Sequence, residues 1–153
     1  MKIVYHERYR EVYSSDPAAR PGRIECILSE LRGMYEFVEP QPASEEDLKL
    51  VHTLSHIENV KRSRAFEVAL LAVGGAVRAA ELAVEGEPAF ALIRPPGHHA
   101  NPDHSWGFCY FNNIAVAVER LRRLGKVRKV FIADFDLPLL QYLQAMNAHQ
   151  ASV

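Results

Sequence analysis

Cysteine, net charge and long apolar runs are all scarce in this chain, and each scarcity removes a class of protein. The two cysteines, Cys26 and Cys109, lie far apart in apolar settings with no CxxC spacing, which argues against a disulfide framework or a zinc knuckle. Two reduced, buried thiols are the expectation. Lysine and arginine number 18 against 19 acidic residues, a formal net charge of -1, so no general affinity for nucleic acid is expected. The one basic run, RLRRLGKVRK at 120–129, fits the last turn of a helix, where cations complement the helix dipole. The longest apolar runs, AFALI and KVFIA, are far shorter than the roughly 18 residues of a membrane span. Met1 and Lys2 lead straight into a strand pattern rather than a signal peptide, so the expectation is no membrane and a cytoplasmic location.

What remains is a chain of 153 residues, 48% hydrophobic, enough for one domain with a core and without internal repeats. KIVYH reads as a first strand, and Ile24, Ile27, Leu28 and Leu31 mark one face of a helix closed by Gly33. YEFVEP reads as a second strand. Ser44 with Asp47 reads as an N-cap signature before Leu48, and a short helix is expected over 56–62. Residues 66–85 form a long helix whose two central glycines cost helix stability, so close packing must compensate there. PAFALIRP is a third strand, apolar on both faces as parallel strands are. Asn112 or Asn113 caps a helix running to Gly125, KVFIADFD is a fourth strand, and Pro138 opens a last helix with Leu139, Leu140, Leu143 and Met146 on its apolar side. The alternation predicts an α/β domain in three layers, a mainly parallel sheet flanked by helices.

In such sheets the reactive side chains gather at the carboxyl ends of strands. The third strand ends in RPPGHHA, with His98 and His99 adjacent, and the fourth in Asp134 and Asp136, two apart and so on one face if extended. A histidine oriented by a carboxylate suits general base catalysis, and a second carboxylate suits a divalent metal. Each pair taken alone is as compatible with a hydrogen-bonded turn. The stiff Pro95-Pro96-Gly97 turn favours function, because it places the following side chains firmly.

Together RPPGHHA, GFCYFNNIAVA and FIADFD, with RPGRIECILSEL and LKLVHTLSHIENV, resemble the zinc-dependent histone deacetylase and acetylpolyamine amidohydrolase family over residues 1–137. The resemblance implies part of the arginase/deacetylase-like fold and hydrolysis of an N-acetyl amide, on acetyl-lysine or an acetylpolyamine, to amine and acetate. By position, His99 resembles the general base, His98 its electrostatic neighbour, Asp134 the carboxylate that orients His98, and Asp136 the first zinc ligand. Gly107 and Phe108 resemble the substrate channel, and Arg23 a buried arginine near the acetate exit.

The resemblance also implies ligands that are not in place. Where the family motif continues with a histidine, this chain has Pro138, and residues 139–153 match nothing in the family at that position. A catalytic zinc site takes three protein ligands plus water, so the expectation is that this chain alone does not hold zinc stably and is inactive by itself. The alternative is a non-catalytic ligand-binding or interaction domain. Residues 1–137 are thus read as the N-terminal portion of a deacetylase-like domain and 138–153 as an atypical helix or tail. In the family, later strands insert between those present here, and the sheet edges left exposed predict a homo-oligomer. His6, His52, His56 and His104 are read as surface or capping residues, Cys109 and Trp106 as packing beside the channel, and Tyr110 and Phe111 as core. A tail His149 is not expected to be a ligand.

Overall fold

The computed structural model describes residues 1–136. The Pro138 position, the expected last helix, the 138–153 tail and His149 lie outside the described residues. Three strands, β1 (Lys2–Val4), β2 (Glu36–Val38) and β3 (Ala89–Ala91), form one parallel sheet in the order β2-β1-β3. Register pairs Ile3 with Phe37 on one side and with Phe90 on the other. The helices are α1 (Arg23–Leu31), α2 (Glu45–Leu48), α3 (Leu54–Lys61), α4 (Phe66–Val84) and α5 (Asn113–Arg123). A parallel sheet with flanking helices is the architecture expected.

The strands are parallel because each is followed by a crossover through helices, the connection a parallel pair requires. Helix α4 is the hub of the core, packing against β1, β3 and α5. Its central glycines are where the packing is closest: a Cβ at Gly75 would meet Ile93 at 2.5 Å and the Tyr9 hydroxyl at 2.8 Å. One core cluster joins Ile3, Tyr9 and Leu92 to Leu28 of α1 and Leu71 of α4, and a second joins Leu48, Ile57 and Val73 to Phe111 and Val116 of α5. The capping box of Ser44 with Asp47 and the Asn112 cap of α5 are both present.

Three expectations are corrected. The fourth strand is absent: residues 129–135 carry no ladder, and Phe131 and Phe135 are 91% and 98% exposed. A strand persists only with a partner for its backbone groups, and β3 has none on its outer side among the described residues. Cys26 is exposed on α1, while Cys109 is buried and its thiol pushed up to about 11 by that burial. Ile27 is also exposed, because α1 turns only Ile24 and Leu28 fully inward. No helix of the described residues is long and apolar enough to cross a membrane.

Candidate active site

The RPPG turn that leaves β3 is fastened from two sides. The guanidinium of Arg94, buried, donates to the carbonyls of Tyr9, Glu11, Ala18 and Arg20 and so ties residues 9–20 to the end of the strand. On the other side Asn113 Nδ2 donates to Pro95 O at 3.1 Å, and a Cβ at Gly97 would lie 2.6 Å from both Asn113 N and Phe111 O. Only glycine lets the turn approach the start of α5 this closely. His98 and His99 leave this clamp with ring centroids 4.1 Å apart.

His98 stands between two aspartates. Its Nδ1 is 3.1 Å from Asp134 Oδ2, and its Nε2 is 3.4 Å from Asp136 Oδ2. The two carboxylates are brought there by a turn rather than by strand alternation, with Asp136 N–H donating to Asp134 Oδ1 at 3.0 Å. A carboxylate only accepts, so the contact with Asp134 places the His98 proton on Nδ1. His99 is covered by the loop that follows. Trp106 stacks edge-on at 4.7 Å, and Gly107, at φ 54°, lies so close to the ring that a Cβ there would overlap it. Burial, and next the neighbouring His98, hold the His99 imidazole below its ordinary pKa, which keeps it an acceptor at neutral pH.

The next residue, Phe108, has φ 68°, a left-handed conformation unfavourable for a side chain with a Cβ, and leaves its ring half exposed beside Trp106. The structure therefore assembles His98, His99, Asp134, Asp136 and Gly107 at one place, with Phe108 at its rim. Arg23 does not join them. It is exposed at the start of α1, its Nη1 donating to Pro17 O at 2.9 Å, and the buried guanidinium in this region is that of Arg94. The swap has a simple cause: Arg23 begins a helix whose inward face is apolar, whereas Arg94, following β3, is surrounded by the carbonyls of residues 9–20.

Fit to a zinc ion can be judged from the donors. Ligand atoms of His98, His99 and Asp136 lie within 4.8 Å of one another, and Asp134 backs His98, which is donor chemistry zinc accepts. The count fails once the histidines are kept for proton transfer, since Asp136 is then the one ligand left in this cluster.

Sequence reading missed two residues here. His52 and His56, expected at the surface or as caps, are buried at 4% and 2% exposure beneath the loop. Both stay buried because their ring nitrogens are hydrogen-bonded to loop backbone. The signal was present: Leu48, His52, His56 and Val60 recur every four residues, and all are buried.

Residues 62–138 match the histone deacetylase domain family. A probable deacetylase of Methanothermobacter thermautotrophicus is 40% identical over 156 residues, covering 90% of this chain and 47% of that protein. One from Archaeoglobus fulgidus is 37% identical, with 88% and 44% covered, and a histone deacetylase-like amidohydrolase of Pseudomonas aeruginosa is 36% identical, with 75% and 36% covered. Among solved structures, the crystal structure of the HDA15 HD domain superposes with a TM-score of 0.70 at 26% identity, over 82% of this chain and 45% of that one. The chain spans about half the length of the curated relatives it matches first.

Proposed function

Because the chain belongs to the histone deacetylase family, we propose that it carries the proton-handling half of a zinc-dependent site that hydrolyses an N-acetyl amide, acetyl-lysine or acetylpolyamine, to amine and acetate. The observation that carries this reading is the Asp134–His98–Asp136 arrangement beside a partly covered His99. His99, with its lowered pKa, accepts the proton of the attacking water. His98, oriented by Asp134, is the electrostatic neighbour of this base. Trp106, Gly107 and Phe108 wall the approach and limit water around His99. When bound, zinc would polarise the acyl oxygen and acidify the water, with Asp136 as one of its ligands. The other ligands lie outside the cluster described, and no turnover is expected of residues 1–153 by themselves. The test is acetate release from acetyl-lysine peptide and from an acetylpolyamine with zinc added. No release is expected from this chain by itself; release lost in His99→Ala would overturn that expectation while supporting the base, and release that survives His99→Ala contradicts the base.

A second reading, a non-catalytic ligand-binding domain, is favoured by the proline at position 138 where the family has a ligand. Binding of an acetylated amine at an affinity unchanged by chelation would support it. The partner proposed is a second copy of this chain. Among the described residues one edge of β3 is unpaired, and beside it runs an open apolar groove of about 410 Å³ lined by residues such as Ala80, Ala91, Ile93 and Ile114, with no charged side chain among those described in its lining. A two-fold axis would set the two β3 edges side by side.

A further inference from the structure

We propose that His52 and His56 are positioning residues that set where the wall over His99 stands. The inference rests on the reading of His99 as the proton acceptor. The wall is the segment from Ala100 to Asn112, which has neither helix nor strand of its own beyond a single bridge between Trp106 and Cys109. It also holds Phe108 in a left-handed conformation, so its shape must be imposed from outside.

His52 imposes it at both ends. Its Nε2 accepts the backbone N–H of Asn112 at 3.0 Å. A backbone nitrogen only donates, so the ring proton is on Nδ1, and Nδ1 donates to Asn101 O at 3.0 Å. One imidazole thus joins the start of the loop to its finish. His56 acts near the finish, its Nε2–H donating to Tyr110 O at 2.8 Å. The rings lie 5.0 Å apart and both pack on Phe111, at 5.3 and 5.7 Å, so neither can swing away without opening the core. Leucine would fill these positions without the cost of burying a polar ring. What imidazole adds is three hydrogen bonds, and all three end on the backbone that carries Trp106 and Gly107 over His99.

The chain has one tryptophan, and it is in this loop, so Trp106 emission reads the loop directly. The experiment compares His52→Leu and His56→Leu with His52→Gln and His56→Gln, whose amides keep a donor and an acceptor in place. Val60→Ala, a loss in the same core cluster without a loop hydrogen bond, is the control. Trp106 starts half exposed, so expected is a further red shift of its emission and stronger quenching by acrylamide in the leucine variants, largely reversed in the glutamine variants and absent in Val60→Ala. Wild-type emission in the leucine variants overturns the proposal. So does an equal change in Val60→Ala, which would mean general loosening. Should the leucine variants fail to fold, a glutamine pair that moves Trp106 as far as denaturation does would also overturn it. None of these readouts needs zinc or turnover. Failure of the hydrolase reading would instead appear as acetate release indifferent to His99→Ala, with the loop still clamped.

Discussion

The Nδ1 atom of His98 lies 3.1 Å from Oδ2 of Asp134, and because the carboxylate can only accept, this pair fixes which nitrogen of His98 carries the proton. Asn in place of Asp134 can donate as well as accept. Asp134→Asn is therefore expected to turn a single Nδ1–H tautomer into a mixture, read from the ring ¹⁵N shifts of His98. Shifts identical to the wild type would show that Asp134 does not orient the ring.

His99 and Trp106, 4.7 Å apart, form a reporter pair. A protonated imidazole against indole quenches its emission. Since burial and then His98 lower the His99 pKa, the quenching transition should fall below the ordinary histidine value of about 6.5 and disappear in His99→Ala. A transition above that value would contradict the buried-base reading.

Stability should depend on pH through the loop clamp. Burial and then the neighbouring His56 push His52 down to about 4, and burial lowers His56 as well, opposed by its hydrogen bond to Tyr110 O and helped by the loop's facing His104. Asp103, facing His56 from the same loop, works in the opposite direction. A folded pKa below the unfolded one means that the unfolded chain binds more protons between the two values. Stability is then full above about pH 6.5 and falls as pH drops toward about 4, by about 1.4 kcal/mol per pH unit for one such proton. Urea midpoints across that window check this, and His52→Gln should flatten the slope. An equal slope in that variant would place the acid sensitivity elsewhere.

Hydrogen bonding of β3 to β1 uses Pro88 O, which accepts from Lys2 N–H at 2.9 Å, and Leu92 N–H, which donates to Val4 O at 3.0 Å. By alternation the backbone N–H of Ala91 faces the free edge. Ala91→Pro removes that donor without touching the pairing with β1. It should shift an oligomer to monomer in light scattering while the far-UV spectrum holds. A wild-type chain that is already monomeric would contradict pairing through this edge.

The sequence made α4 and β3 legible because their patterns are local: a run of small and apolar residues long enough for a helix, and an apolar run short enough for a strand. The site was legible through the residue types of His98, His99, Asp134 and Asp136, although a turn, not strand spacing, brings the two aspartates to the histidines. What stayed hidden depends on distant partners. KVFIADFD has the composition of a strand, yet its backbone meets no neighbouring strand among the described residues. Arg23 and Arg94 have the same side chain, and only the carbonyls of residues 9–20 around Arg94 decide which is buried. His52 and His56 read as polar until Asn101, Tyr110 and Asn112 arrive to accept and donate to them.

His99 as the proton acceptor and His98 as its electrostatic neighbour leave neither histidine to hold metal, so the most direct test is zinc per chain after equilibrium dialysis against buffered zinc, for the wild type and His99→Ala. Well under one tightly held zinc per chain is expected, unchanged by the substitution. Close to one zinc per chain, lost in His99→Ala, would make the histidines ligands and contradict it.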